Sequence, residues 1–236
     1  MNNIKNVLIL FTTILITLQT NCIKNDIPIF NKIQLPNITG VVPIYGMIET
    51  DTNYTFNCGS AVIAFKIKNH YYAITAKHIV KDTHRILIDN TLGKVIVNFN
   101  HTDISMIEFK SNKKYPIYPF GKPKLGEEVW GIGYPKGLNP FRNKRFICKG
   151  NVCYISNKEI WYNGGGANGM SGGALLNKKG ELLGIASNIL VSNPSPISLK
   201  RDVYYNFMNF IPLTQFELGF KLTISEMKKL DQHQNK

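Results

Sequence analysis

Residues 164–174 read Gly-Gly-Gly-Ala-Asn-Gly-Met-Ser-Gly-Gly-Ala, and Ser171 stands among the glycines of this stretch. Glycine allows the backbone to turn tightly and leaves bare N–H groups beside the serine hydroxyl. The stretch therefore predicts a nucleophile together with donors for the oxyanion that its attack would create. Because glycine suits any sharp turn, this prediction depends on a base and an acid elsewhere in the chain.

His78 is the candidate base. It follows the apolar run Tyr71–Ala76, where the chain is expected to turn into a short helical segment, Lys77–Val80. A histidine at the mouth of a strand can be held rigidly beside a cleft, and the alternative is a structural histidine satisfied by its neighbours. The remaining histidines lie in polar surroundings or at a strand entrance and are interpreted as surface residues: His70, His84, His101 and His233.

Asp103 is the candidate acid, because it opens the alternating run Ile104–Phe109 and can be buried at the rim of that strand. A carboxylate beside an imidazole fixes the tautomer of the ring and stabilises the imidazolium. The alternative is a turn residue that starts a strand. Two other acids are less suitable, since Asp82 is too near His78 in the chain to reach the far nitrogen and Asp89 ends a strand at a turn.

These residues carry a resemblance to the chymotrypsin-like serine proteases, which share the order His78, Asp103, Ser171. Four segments resemble the motifs of that family: Cys58–Ser60, Thr75–His78, Asp103–Ile107 and Gly169–Gly173. Three further segments are similar to bacterial HtrA/Deg-like proteases: Gly126–Leu138, Ser171–Ile185 and Phe210–Leu213. The resemblance covers roughly residues 40–213. It departs at Ala174, where proline is usual, and no PDZ-sized region follows.

Short runs rich in Val, Ile, Tyr and Phe, divided by turn residues, independently predict an all-β sandwich or barrel built from two halves. The resemblance implies two six-stranded antiparallel β-barrels, and the sequence itself predicts a short C-terminal helix after them. The predicted strands are Val41–Glu49, Gly59–Lys66, Tyr71–Ala76, Arg85–Asp89, Lys94–Phe99, Ile104–Phe109, Glu128–Gly133, Arg145–Ile155, Glu159–Tyr162, Ala174–Asn177, Glu181–Asn188 and Tyr204–Pro212.

The resemblance implies peptide hydrolysis through an acyl-enzyme, without a cofactor or a metal ion. Ser171 would attack the carbonyl, His78 would accept and later return a proton, and Asp103 would orient His78. The oxyanion hole would be the segment Gly169-Met170-Ser171, in which the N–H groups of Gly169 and Ser171 donate. Because Met170 stands where trypsin-type zymogens place an acid, the site is expected to form on folding without trypsin-style activation.

The substrate pocket is also assigned by resemblance. Gly165 would be its floor, so a preference for Lys or Arg lacks an acidic partner. The strand residues Ile185, Ala186 and Ser187 would form a wall and pair with the substrate backbone. We expect a small or medium apolar residue before the scissile bond. Two alternatives remain open: a polyprotein-processing protease of viral type, and a non-catalytic relative that uses the cleft for binding.

Residues 1–22 are predicted to be a signal peptide, because Lys5 precedes an apolar run, Val7–Leu18, that is shorter than the roughly 20 residues of a spanning helix. The expected location is secreted or periplasmic. A lipid on Cys22 or an uncleaved anchor are the alternatives, and they are the only routes to a membrane. The net charge of +13 is interpreted as a dispersed positive surface rather than a specific nucleic-acid site; the expected partners are protein or peptide substrates.

The predicted domains are an N-terminal arm at 23–39, a chymotrypsin-like protease domain at 40–222, and a C-terminal helix and tail at 223–236. Thr223–Glu226 reads as a capping box that opens this helix. Cys148 and Cys153 are predicted to be bonded across a Lys-Gly-Asn turn between two strands, with Cys58 left as a buried apolar residue. The cysteine spacing does not resemble a zinc site.

Overall fold

A computed structural model describes residues 35–136, 144–189 and 208–213, together with Thr223, Ser225, Glu226 and Lys229. From Pro36 onward the described residues belong to one compact unit. The strands are β1 (Val41–Glu49), β2 (Tyr54–Ile67), β3 (His70–Ala76), β4 (Arg85–Ile88), β5 (Thr91–Asn98), β6 (Ile104–Lys110), β7 (Glu128–Gly133), β8 (Phe146–Ile155), β9 (Ile160–Tyr162), β10 (Ala174–Asn177), β11 (Leu182–Ile189) and β12 (Met208–Pro212). One helical turn, α1 (Lys77–Val80), follows β3.

The strands form two closed antiparallel barrels of six strands each. The first has the order β1-β2-β3-β6-β5-β4 and closes where β1 pairs with β4; the second has the order β10-β11-β12-β9-β8-β7 and closes where β7 pairs with β10. Closure leaves no open sheet edge in either half. The predicted double-barrel fold is confirmed.

The burial pattern explains why these segments become strands. β3 and β6 are buried on nearly every residue, as expected for strands with both faces covered. β4 alternates between exposed and buried residues, which is typical of a strand with one face in solvent. Its hairpin to β5 turns at Asp89 and Asn90, which both have positive φ (45° and 66°), as a two-residue hairpin turn requires.

Three apolar clusters hold the barrels together. One lies in the first barrel, around Ile44, Ile63 and Ile107. A second lies in the second barrel, around Tyr162 and Phe210. The third takes buried residues from both barrels, including Ile74 and Met106 of the first and Trp130 and Leu176 of the second: Val41, Val62, Ala64, Tyr72, Ile74, Ile104, Met106, Tyr118, Trp130, Ile132, Ala174, Leu176, Leu182, Ile185 and Leu213. This shared core fixes the two barrels against each other.

β2 is longer than its apolar run predicts. It begins at Tyr54 rather than Gly59, because pairing with β1 continues out to Glu49 opposite Tyr54. The first residues of β2 are exposed, so their sequence lacks the alternation that marks a half-buried strand. Backbone pairing within a hairpin, rather than burial, extends this strand.

The predicted bond between Cys148 and Cys153 is wrong. Both cysteines lie on one continuous strand, β8, and the Lys149–Asn151 segment between them is paired with β7 rather than turned. Five residues of extended chain separate their Cα atoms by about 16 Å, whereas a disulfide needs less than about 7 Å. Cys58 is also not fully buried, since it is partly exposed on β2.

Several predictions concern residues outside the described ranges. The signal peptide at 1–22 and most of the arm at 23–39 are among them. Of the C-terminal segment, Thr223, Ser225, Glu226 and Lys229 are helical, and the rest of the predicted helix lies outside. Within the described part of the chain, no helix has the length and apolar character needed to cross a membrane.

Candidate active site

His78 is placed by the junction between β3 and α1. The helical turn begins at Lys77, whose backbone N–H donates to the carbonyl of Asp103 at 3.0 Å. The Lys77 ammonium donates to the carbonyl of Phe99 at 3.1 Å. Lys77 therefore ties the start of α1 to both ends of the loop that joins β5 to β6, and Asp103 is the last residue of that loop.

The His78 and Asp103 side chains are hydrogen-bonded. His78 Nδ1 lies 2.7 Å from Asp103 Oδ2, and the backbone N–H of His78 donates to Oδ1 at 2.9 Å. An ionised carboxylate can only accept, so the ring proton is on Nδ1 and Nε2 is left as an acceptor. The pair thus has the arrangement of a general base and the acid that orients it.

Ser187 of β11 connects the second barrel to this pair, because its hydroxyl donates a hydrogen bond to Asp103 Oδ2 at 2.8 Å. Burial raises the pKa of Asp103, but the hydrogen bonds and charge of His78 and the hydrogen bond from Ser187 outweigh it and hold the pKa below its ordinary value. Asp103 is consequently ionised throughout the neutral range.

Ser171 lies on the turn that precedes β10. Its hydroxyl donates to the carbonyl of Ser187 at 3.2 Å, and its own carbonyl accepts the backbone N–H of Ser60 at 2.8 Å. Among the described residues, Ser171 Oγ has no hydrogen bond to His78. Asp103 is thus hydrogen-bonded to both His78 and Ser187. Ser171 is connected to this group through its hydrogen bond to the carbonyl of Ser187.

The backbone around Ser171 leaves two donors free. The carbonyl of Asn168 accepts from Lys136 N–H at 2.6 Å, the N–H of Met170 donates to Ala167, and the carbonyl of Met170 accepts from Gly173 N–H. Within the described part of the chain, the N–H groups of Gly169 and Ser171 donate to no protein acceptor. Two unpaired N–H groups flanking a serine are the donors that an oxyanion requires.

Glycine is required at two positions of this turn. Gly169 has φ of 93° and Gly172 has φ of 82°, in a region that favours glycine. A Cβ on Gly172 would also lie 2.0 Å from the carbonyl oxygen of Ser60. These two glycines let the segment pass close to β2 of the first barrel.

The four predicted pocket residues lie in different surroundings. Gly165 has φ of 80° and its carbonyl accepts the Tyr162 hydroxyl at 2.5 Å. The side chains of Ile185 and Ala186 are fully buried in apolar clusters, and the Ser187 hydroxyl is directed to Asp103. What these β11 residues can offer a substrate is therefore their backbone.

The rival acid Asp89 and the histidine His70 have hydrogen-bond partners away from Ser171. Asp89 accepts from Lys113 at 2.9 Å and from the Tyr115 hydroxyl at 2.5 Å. His70 is bonded to Glu108 at 2.6 Å. The described histidines other than His78 have no hydrogen bond to Ser171 or Asp103. No group of three His, Cys, Asp or Glu side chains among the described residues has the spacing of a metal site.

Two residues near the site were given no role at the site by the sequence, although Ser60 lies in the motif Cys58–Ser60. The Ser60 hydroxyl, fully buried, donates to the carbonyl of Gly169 at 3.0 Å and accepts Tyr134 N–H at 2.8 Å. Met208, buried in β12, faces Gly166, where a Cβ would lie 2.7 Å from its sulfur. Both contacts join segments distant in the sequence, so the motif and the strand that contain these residues did not indicate the contacts.

Comparisons with known proteins identify a family to which the chain is similar. Residues 59–185 match the family described as the trypsin-like peptidase domain. A Pseudomonas putida protein named "Probable periplasmic serine endoprotease DegP-like" is 31% identical over 140 residues, which are 53% of this chain and 28% of the relative. A protein of the same name from Buchnera aphidicola (subspecies Baizongia pistaciae) is 30% identical over 173 residues, 68% of this chain and 37% of the relative.

The fold has a counterpart among solved structures. A serine endoprotease from Yersinia pestis superimposes with a TM-score of 0.61 and 22% sequence identity, covering 80% of this chain and 64% of that one. This likeness supports the double barrel. The chain spans only about a third of the length of the curated relatives it matches.

Proposed function

This chain belongs to the trypsin-like peptidase family, and from that membership we propose that it is a serine endopeptidase that hydrolyses proteins or peptides through an acyl-enzyme. The observation that carries the proposal is the bonded pair of His78 and Asp103, joined through Ser187 to a serine on a glycine turn. No single sequence motif identifies this arrangement, because the arrangement brings together residues from both barrels.

In the proposed reaction Ser171 Oγ attacks the substrate carbonyl and His78 Nε2 accepts its proton. For this step the Ser171 hydroxyl leaves the carbonyl of Ser187 and turns to the imidazole. Catalytic hydrogen bonds often form only in the substrate complex, so the present orientation is compatible with the step. His78 then returns the proton to the leaving amine, and a water hydrolyses the ester on Ser171. Asp103 holds Nδ1–H and stabilises the imidazolium.

The oxyanion would be bound by Gly169 N–H and Ser171 N–H. Both are unpaired in the described structure. The Met170 side chain between them is 1% exposed and packs in the core of the second barrel. Apolar packing rather than a buried ion pair therefore supports this segment, in line with a site that forms on folding. A full-length folded chain that is inert until cut upstream of β1 would contradict this point.

A fluorophosphonate probe tests the proposed function, because it labels only an activated serine. We expect the wild type to be labelled, Ser171→Ala to lose labelling entirely, and His78→Ala to lose nearly all of it. Ser156→Ala is the matched control: Ser156 is also half-buried, and its hydroxyl accepts the N–H groups of Lys158 and Glu159 in a remote turn. A folded wild type that is not labelled would favour a binding module with the same cleft.

We also propose that the chain is exported. The support is the apolar run Val7–Leu18 after Lys5, together with the periplasmic naming of the DegP-like relatives. Sequencing of the mature N-terminus from a fractionated host should find Cys22 removed and the protein outside the cytoplasm. Retention of Val7–Leu18 on a membrane-bound product would instead indicate an anchor.

A further inference from the structure

The Ser60 hydroxyl is a buried polar group that connects the two barrels. Ser60 is fully buried in β2 of the first barrel. Its hydroxyl donates to the carbonyl of Gly169 at 3.0 Å and accepts the N–H of Tyr134 at 2.8 Å. Both partners belong to segments of the second barrel, one to the turn before Ser171 and the other to the loop after β7. One hydroxyl therefore uses its donor and an acceptor lone pair on two separate loops.

The Ser60 backbone is held independently of the hydroxyl. Its N–H donates to the carbonyl of Ser171 at 2.8 Å, and its carbonyl accepts the Thr75 hydroxyl at 2.7 Å. The surroundings are close-packed: a Cβ on Gly133 would lie 2.9 Å from Ser60 Oγ. The backbone of β2 and this close packing therefore hold the Ser60 hydroxyl in one position.

Both partners of the hydroxyl bear on the orientation of the Gly169 amide. Ser60 holds the Gly169 carbonyl directly. It also holds Tyr134, and two residues later Lys136 N–H donates to the carbonyl of Asn168 at 2.6 Å. Carbonyl and N–H lie on opposite sides of a trans peptide, so fixing the Asn168 carbonyl toward Lys136 directs Gly169 N–H the other way. The Ser60 hydroxyl thus restrains the peptide units on both sides of Gly169.

We propose that Ser60 is a positioning residue that holds Gly169 N–H in the orientation that binds the oxyanion, an inference that rests on the proposed function. Gly169 has φ of 93°, and glycine crosses between backbone conformations more readily than any other residue. Without the Ser60 hydroxyl, the peptide unit on either side of Gly169 can rotate and turn Gly169 N–H away from the position of the oxyanion. The effect is specific to the transition state, because the oxyanion exists only after attack.

The test compares Ser60→Ala with wild type in peptide hydrolysis and in affinity for a peptide boronate, which forms a tetrahedral adduct. Removing one oxyanion donor costs about 10²–10³ in rate; a misoriented donor in Ser60→Ala should lower kcat by about 10- to 100-fold. KM should change little, and boronate affinity should fall in parallel with kcat. The Gly169 amide proton, shifted downfield by NMR in the wild-type adduct, should lose that shift.

Ser105→Ala is the matched control. Ser105 is also fully buried in the first barrel, but its hydroxyl donates to Asn98, at 2.5 Å, and not to the turn before Ser171. It should lose stability without losing boronate affinity. If Ser60→Ala does not fold, Ser60→Cys, which keeps only a weak donor, replaces it with the same expected direction.

Each outcome decides the inference. A folded Ser60 variant with wild-type kcat and boronate affinity would overturn it while leaving the proposed function intact. An equal loss in Ser105→Ala would also overturn it, since general destabilisation would then explain the effect. A wild type that neither hydrolyses peptides nor reacts with the fluorophosphonate would overturn the proposed function, and this inference with it.

Discussion

His78 Nδ1 lies 2.7 Å from Asp103 Oδ2, while Asp103 Oδ1 accepts the backbone N–H of the same histidine at 2.9 Å. One carboxylate therefore fixes both the ring and the main chain of His78. A backbone hydrogen bond limits the position of the residue, and the side-chain bond limits the rotation and tautomer of the ring. The geometry of the pair does not depend on substrate.

Asp103→Asn tests this pair. An amide can donate to Nδ1 and leave the proton on Nε2, the wrong tautomer for a base, so we expect fluorophosphonate labelling and peptide hydrolysis to fall by about 10⁴. Asp89→Asn is the control, because Asp89 is also half-buried and hydrogen-bonded, to Lys113 and Tyr115. Labelling of Asp103→Asn at the rate of Asp89→Asn would show that Asp103 does not orient the base.

Ser187→Ala should destabilise the fold in a pH-dependent way. Its hydroxyl bonds an ionised carboxylate at 2.8 Å, and loss of such a bond costs about 1.5–3 kcal/mol. Asp103 has a lowered pKa in the fold, so its charged-state interactions contribute fully above its unfolded pKa of about 3.9 and disappear as pH falls through the folded value. The difference in unfolding free energy between variant and wild type should therefore be largest near neutral pH and shrink toward pH 3.

Urea unfolding at several pH values between 7 and 3 measures this difference. Ser111→Ala serves as the control, because the Ser111 hydroxyl contacts Tyr115 rather than an acid at the site. A difference for Ser187→Ala that stays constant over the whole range would show that its hydroxyl does not stabilise the Asp103 carboxylate.

A pair of glycine substitutions separates backbone conformation from close packing. Gly126 and Gly172 have similar φ values, 76° and 82°, but a Cβ on Gly126 would meet nothing within 4 Å, whereas one on Gly172 would lie 2.0 Å from Ser60 O. Gly126→Ala should cost about 1–2 kcal/mol for the left-handed conformation alone. Gly172→Ala should cost at least about 2 kcal/mol more and abolish labelling. Equal unfolding free energies would mean that the turn moves away from β2 without penalty.

The primary specificity should be apolar. Gly165 offers no negative charge at the predicted pocket floor, and Met208 packs against the neighbouring Gly166. A Lys or Arg side chain would therefore enter without a partner, at the cost of desolvating its charge. A peptide library should show preferred cleavage after small or medium apolar residues, and Met208→Ala should extend the preference to larger ones. Equal turnover of Lys and Arg substrates by the wild type would contradict this prediction.

Local sequence was sufficient for most of the fold and for choosing the three residues proposed to carry out the reaction. The strands are short apolar runs ended by turn residues, and β1, β7 and β10 begin and end where their sequence predicts. The lower limit of β2 was not predicted, because backbone pairing with β1 extends the strand beyond its apolar run. The cysteine prediction failed for the same reason: Lys149–Asn151 has turn-forming residues but is paired with β7.

The sequence by itself determined the barrel-forming strands and the order His78, Asp103, Ser171. Each strand is a run of contiguous residues, and each of the three residues lies in a short contiguous motif. Only the tertiary structure decided how these groups are held. Ser187 reaches Asp103 across 84 residues and Ser60 reaches Gly169 across 109. Each contact depends on how the two barrels pack over their shared core, a property of distant segments that no local pattern encodes. The physical reason is that a hydroxyl's partner is set by what folding brings within about 3 Å.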